Sequence, residues 1–179
     1  MPARVVMLRG INVGGSHRVP MADLRALLGE AGYEDVRTYV QSGNVVLSSA
    51  QSPAELEREA QRLISARFGF DVPVIVRTRE ALAKVVALDP LGDVADEPKR
   101  YQVTFLSAPL GADVLARLEA AAVDDERVVA RGHELYTWHP AGVARSKMWT
   151  AIAGKGLGVT ATARNWRTVT TLLEMAGGA

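Results

Sequence analysis

Three short segments concentrate the residue types that recognise anions. The first, Arg9-Gly10-Ile11-Asn12-Val13-Gly14-Gly15, is a Gly-rich stretch between a β-rich run and a helical pattern. Glycine tolerates positive φ, so successive backbone N–H groups can be turned toward one anion, and a following helix adds the positive end of its dipole. Arg9 and Asn12 would add side-chain donors to the same ligand. The spacing matches neither G-x-x-x-x-G-K-[ST] nor G-x-G-x-x-G, and no Lys follows the last glycine. The competing reading is a plain connection that needs left-handed residues. The second segment, Tyr39 to Asn44, reads as a hairpin turn at Ser42-Gly43, where Ser and Asn commonly bond their own backbone. In the third, Thr160 to Val169, Thr162 is placed to cap a final helix, and Arg164 and Asn165 project near its positive end. That is an anion site, or else a capped terminal helix with Trp166 packed in the core.

Catalytic arrangements are scarce. His17, His133 and His139 stand apart with no H-x-x-x-H spacing and no nearby carboxylate cluster, so no metal site is expected. Cys is absent, which excludes thiol nucleophiles, Cys-ligated zinc and iron–sulfur clusters. Ser146 and Lys147 are adjacent and cannot face each other on a helix, and no G-x-S-x-G elbow occurs. An enzyme built on Arg9, Asn12 and His17 would lack a paired acid and base. No cofactor is expected.

These segments need elements to hold them. The chain has 179 residues, 48% hydrophobic and 23% charged, enough for a real core without disulfides or structural metal. Val5 to Arg9 reads as a strand. Leu24, Leu27, Leu28 and Ala31 mark a helix stopped by Gly32, and Val36 to Val40 and Val45 to Ser48 read as a hairpin. Ser52, Pro53 and Glu55 open a helix that ends at Gly69, and Val72 to Arg77 is the next strand. This order, β-α-β-β-α-β, is that of the ferredoxin-like unit. Taking its first and third strands as adjacent and parallel places Arg9-Gly10 beside Ser48 and Ser49, with the Ser42-Gly43 turn at the opposite sheet end.

After a short helix near Arg79 to Ala87 and a Pro-rich acidic stretch, the order begins again. Tyr101 to Leu106 is a strand, Ala112 to Ala122 a helix, Arg127 to Ala130 and Leu135 to Trp138 a hairpin, and Arg145 to Ile152 a helix. A weak extended piece near Val159 and a last helix from about Arg164 to Ala176 complete it. The expectation is an α+β protein of two ferredoxin-like halves packed together, residues 1–87 and 99–179, with 88–98 as linker. Net charge is +1, but residues 131–179 carry six Lys or Arg against two Glu, a basic end that can attract phosphates or nucleic acid or else is simply a solvated face. With no run long enough to span a bilayer and no signal-peptide pattern, the reading is a cytoplasmic protein without membrane partners.

Taken together, the segments Leu8 to Gly15, Thr38 to Val45 and Thr162 to Val169 resemble the domain of unknown function 1697 family of bacterial proteins. The resemblance runs over essentially the whole chain and implies an α+β protein of two ferredoxin-like halves. It brings no activity, substrate or catalytic residue. Members often carry Lys after the Gly pair, where this chain has Ser16 and His17. The functional expectation is a binding module for a small anionic or nucleotide-like, phosphate-bearing ligand. Its site would be Arg9, Gly10, Asn12, Gly14, Gly15, Arg164 and Asn165, with Arg9, Asn12, Arg164 and Asn165 either lining one cleft between the halves or tying the halves together. The alternatives are nucleic-acid binding, with Tyr39, Tyr136 or Trp149 as stacking surfaces, and an enzyme of unassigned reaction.

Overall fold

Local signals set the element ends. The Ser52 hydroxyl accepts from the Glu55 amide, the Glu55 carboxylate accepts from the Ser52 amide, Pro53 opens the first turn, and Gly69 at φ +81° closes the helix. The computed structural model describes residues 1–177; the last two residues of the expected second half lie outside the described residues. In chain order the elements are β1 (Ala3–Leu8), α1 (Met21–Glu30), β2 (Glu34–Tyr39), β3 (Asn44–Ser48), α2 (Pro53–Phe68), β4 (Val74–Thr78), α3 (Arg79–Leu88), a 3-10 turn at Pro98–Arg100, β5 (Tyr101–Leu106), α4 (Ala112–Ala121), β6 (Arg127–Arg131), β7 (Glu134–Trp138), α5 (Lys147–Ala153), β8 (Ala161–Asn165) and α6 (Trp166–Gly177). The chain divides into two compact units, residues 1–84 with 171 onward, and residues 85–170.

In the first unit the sheet order is β2-β3-β1-β4, and every neighbouring pair is antiparallel. Val6, Leu8, Val45 and Leu47 meet Leu24 and Leu28 of α1 and Leu56 and Ile64 of α2 in one buried core. The expectation that β1 and β3 are parallel is wrong. A helix that carries the chain back makes β2 run as β1 does, and the hairpin then reverses β3. Met7 therefore faces Asn44 and Ala3 faces Ser48. The chain leaves β1 beside Ser42-Gly43, not beside Ser48-Ser49. On β2 the register with β3 shifts between Glu34 and Arg37. Asp35 sits there at φ +54°, its carboxylate accepting from the Ser48 hydroxyl at 2.9 Å.

The second unit has the same strand order, β6-β7-β5-β8, again antiparallel throughout. Two assignments at its end change. Arg164 and Asn165 belong to β8, where Arg164 faces Val103 and Asn165 faces Gln102, because pairing with β5 holds the chain extended up to Asn165. The cap of α6 is Asn165 rather than Thr162: its side-chain oxygen accepts from the Thr168 amide at 2.9 Å. The acidic stretch before β5 is anchored, since the Tyr101 hydroxyl donates to Asp89 at 3.0 Å and Leu91 is buried. Among the described residues no helix is long and apolar enough to cross a membrane.

Candidate functional site

Antiparallel pairing brings two of the anion-suited segments to one end of the first sheet. The Leu8 amide donates to the Gly43 carbonyl at 2.9 Å, and the Arg9 amide to the Pro73 carbonyl at 3.0 Å. Past Gly10 the chain forms a miniature hairpin: Val13 bridges Ser16, and the Asn12 amide donates to the His17 carbonyl at 3.1 Å. Gly14 and Gly15 form its tip with φ +61° and +78°, the two left-handed residues that a tight type I′ turn requires. Both are exposed, and Arg9 is half-buried at the foot. His17 stacks on Phe70 at 4.5 Å.

Asn12 joins the two segments. It sits at φ +56°, and its side-chain amide donates to the Val19 carbonyl (2.9 Å) and the Gln41 carbonyl (2.7 Å), while its oxygen accepts from the Val19 amide (2.8 Å). One side chain thus closes its own loop and ties it to the β2–β3 turn. Gly43 is the other close contact, because a Cβ there would lie 2.7 Å from Ile11 Cδ1 and 2.8 Å from Leu8 Cβ.

In the second unit Arg164 is almost fully buried, and its guanidinium donates to the Thr162 hydroxyl at 2.7 Å and the Ala163 carbonyl at 2.8 Å. Burial pulls its pKa down to about 10, still charged at neutral pH. Trp166 begins α6 half-buried, one face stacked on Tyr101 at 4.6 Å with the rings 12° from parallel. Glu97, Pro98, Lys99, Trp166, Arg167 and Thr170 line an open pocket of about 380 Å³ there. Two cations and an indole therefore meet at the positive end of a twelve-residue helix. Tyr136, suggested as a stacking surface, is buried with its hydroxyl on the Val85 carbonyl. Burial of its ring inside the strand face removes it from solvent.

Sequence spacing missed a polar cluster in the same unit. The β6–β7 hairpin pairs Arg127 with Trp138, which sets Glu126 beside His139. Glu126 Oε2 lies 2.9 Å from His139 Nδ1 and accepts from the Ser146 hydroxyl at 2.6 Å, while His139 Nε2 lies 2.8 Å from the Thr137 hydroxyl. Ser146 Oγ also accepts from the Trp149 amide and so caps α5. An ionised carboxylate only accepts, so the imidazole carries its proton on Nδ1 and accepts from Thr137 on Nε2. Serine and carboxylate lie on the same side of the ring, and His139 is fully buried. This is a capping network, not a nucleophile–base relay, in which the histidine would stand between the other two. Among the described residues no group of three or more metal-ligating side chains is gathered.

The family model described as protein of unknown function (DUF1697) matches residues 1–136. The chain belongs to the DUF1697 family. The match includes the Asn12 loop and the Ser42-Gly43 turn and stops short of the β8–α6 junction. The DUF1697 chain is also similar in fold to a solved structure, the conserved bacterial protein SP0830 from Streptococcus pneumoniae. Identity there is 23% and the TM-score 0.78, over 97% of this chain and 98% of that one. No curated protein matches it. In this DUF1697 protein, Asn12→Ala removes three hydrogen bonds and leaves a β-carbon residue at positive φ. It is expected to lower unfolding free energy by about 2–4 kcal/mol. Denaturant titration beside Asn12→Gly, which loses the same three hydrogen bonds but tolerates the positive φ, separates the two contributions.

Proposed function

We propose that the protein binds a small anionic, nucleotide-like ligand at the β8–α6 junction of its second unit. The observation that carries this reading is the pocket in which Trp166, backed by Tyr101, stands beside Lys99 and Arg167. An indole stacked on one face is a rigid platform for a base on the other, and base–aromatic stacking is worth about 1–3 kcal/mol. The cations and the helix start favour a phosphate at the same mouth. Glu97 opposes them in part, but its carboxylate accepts from the Lys99 amide at 3.0 Å and so stays with the 3-10 turn. A volume of about 380 Å³ suits a mononucleotide rather than a polymer. Arg164 and Asn165 support the site from behind by fixing where the strand ends and the helix starts.

Calorimetry and thermal unfolding with nucleoside monophosphates, nucleosides and orthophosphate test this. A nucleotide at 100 times its dissociation constant stabilises by about 2.7 kcal/mol. Arg167→Gln should weaken nucleotides and orthophosphate alike, whereas Trp166→Leu should weaken nucleotides and spare orthophosphate. Nucleotide binding that neither substitution changes overturns the reading. Oligonucleotides that bind far more tightly than mononucleotides, with steep salt dependence, would favour nucleic acid instead.

A further inference from the structure

A second, larger pocket of about 520 Å³ opens in the same unit, lined by Val94, Asp96, Arg100, Asp125, Arg127, Trp138 and Pro140. Its charges are balanced, two guanidiniums against two carboxylates. All four side chains belong to exposed residues, and among the described residues no ion pair joins either arginine to either aspartate. Opposite charges that line one cavity without neutralising one another can each meet a ligand charge. A simple anion would face two carboxylates and a simple cation two guanidiniums. A molecule carrying both signs a few ångströms apart satisfies all four.

The walls are also fixed. Arg100 Nη1 donates to the Pro140 carbonyl at 2.6 Å and Arg127 Nη1 to the Glu126 carbonyl at 2.9 Å, so each guanidinium is held by one nitrogen while others remain to donate. Behind the pocket Glu126, between Asp125 and Arg127, is bonded to His139, between Trp138 and Pro140. The His139 amide donates to the Arg100 carbonyl at 3.1 Å. The buried network therefore locks the three chain segments that carry the charges, the support a recognition site needs.

We propose that this pocket binds a small zwitterion of the α-amino acid class, its carboxylate on Arg100 and Arg127 and its ammonium on Asp96 and Asp125. Val94, which is exposed, and Trp138, which is largely buried but lines the pocket floor, meet the ligand's side chain. The site is separate from the Lys99–Arg167 pocket, so Arg167→Gln leaves it unaffected.

The test is calorimetry of the full chain with free amino acids, their N-acetyl derivatives and their amides. At least one free amino acid should bind with a dissociation constant below about 1 mM, and blocking either charged end should weaken it about tenfold or more. Arg127→Gln should abolish the preference for the acid over the amide, and Asp125→Asn the preference for the free amine over the N-acetyl form. Both residues are exposed, and the blocked-ligand series needs no variant at all. The proposal is overturned if no free amino acid binds, if blocked forms bind as well as free ones, or if both substitutions leave affinity unchanged. Failure here with intact nucleotide binding leaves the Trp166 site standing, and the converse outcome leaves this one.

Discussion

Glu126→Ala should unfold the protein more readily by about 2–4 kcal/mol, because the carboxylate is the acceptor for a buried imidazole and a buried hydroxyl that would both lose their partner. Its two oxygens accept from the Ser146 hydroxyl and the Val123 amide and bond His139; the exposed Val123 amide can turn to water, but buried Ser146 and His139 would lose their acceptor. The same cluster sets an acid limit. Burial pushes the His139 pKa below its ordinary 6.5, against the pull of Glu126, so the imidazole is held neutral. Burial pushes Glu126 up, but the Ser146 hydroxyl, the Val123 amide and His139 outweigh it and hold the carboxyl below 4.5. Both folded values are depressed, so the unfolded chain binds more protons, and stability falls as pH drops. Loss from His139 begins below about 6.5 and loss from Glu126 below about 4.5. Urea midpoints measured from neutral to acid pH should decline through both windows in the native chain. A profile that stays flat across them would contradict the assignment.

Gly43→Ala should be comparably damaging. The residue has φ +88°, and a Cβ there meets Ile11 and Leu8 at under 3 Å. Left-handed backbone costs an alanine about 1–2 kcal/mol, and overpacking a filled site adds about 1–3 kcal/mol. Leu8 and Ile11 are fully buried and cannot swing away. A loss of about 2–5 kcal/mol is therefore expected in denaturant unfolding. Relief by a second substitution, Ile11→Ala, would show that the clash and not the turn is responsible. A variant as stable as the native chain would mean the hairpin and the Ile11 loop are not in this contact.

Element order was legible because turn chemistry is local. The Ser52–Glu55 box, Gly69 and Gly32 each end an element where their own backbone preferences demand it. The direction of β3 against β1 was misread although the order of elements contains it, since the helical crossover returns β2 in the direction of β1 and only the hairpin then reverses the chain. The final strand was hidden for another reason. Ala161 to Asn165 carries little hydrophobic periodicity, and its extension comes from pairing with β5, about sixty residues earlier in the chain. Within the candidate sites, Asn12 was recognised as polar chemistry, but its partners Val19 and Gln41 are backbone groups that spacing cannot reveal. The Glu126–His139–Ser146 cluster was missed because cross-strand register, not sequence proximity, assembles it.

The irregular edge of the first sheet bears on how the protein behaves when concentrated. β2 is the terminal strand of its sheet, and an unbroken row of backbone donors and acceptors on such a strand is a template on which a second chain can polymerise. At Glu34 to Arg37 the ladder slips, Asp35 turns left-handed, and its carboxylate is drawn back to Ser48. Any strand arriving from solution would find the hydrogen-bonding rhythm interrupted and charged side chains on either side of the break. The kink thus acts as a guard against fibre growth, and because it is built from residues of the first unit while both proposed ligand pockets are lined by residues of the second, protection and recognition draw on different parts of the sequence.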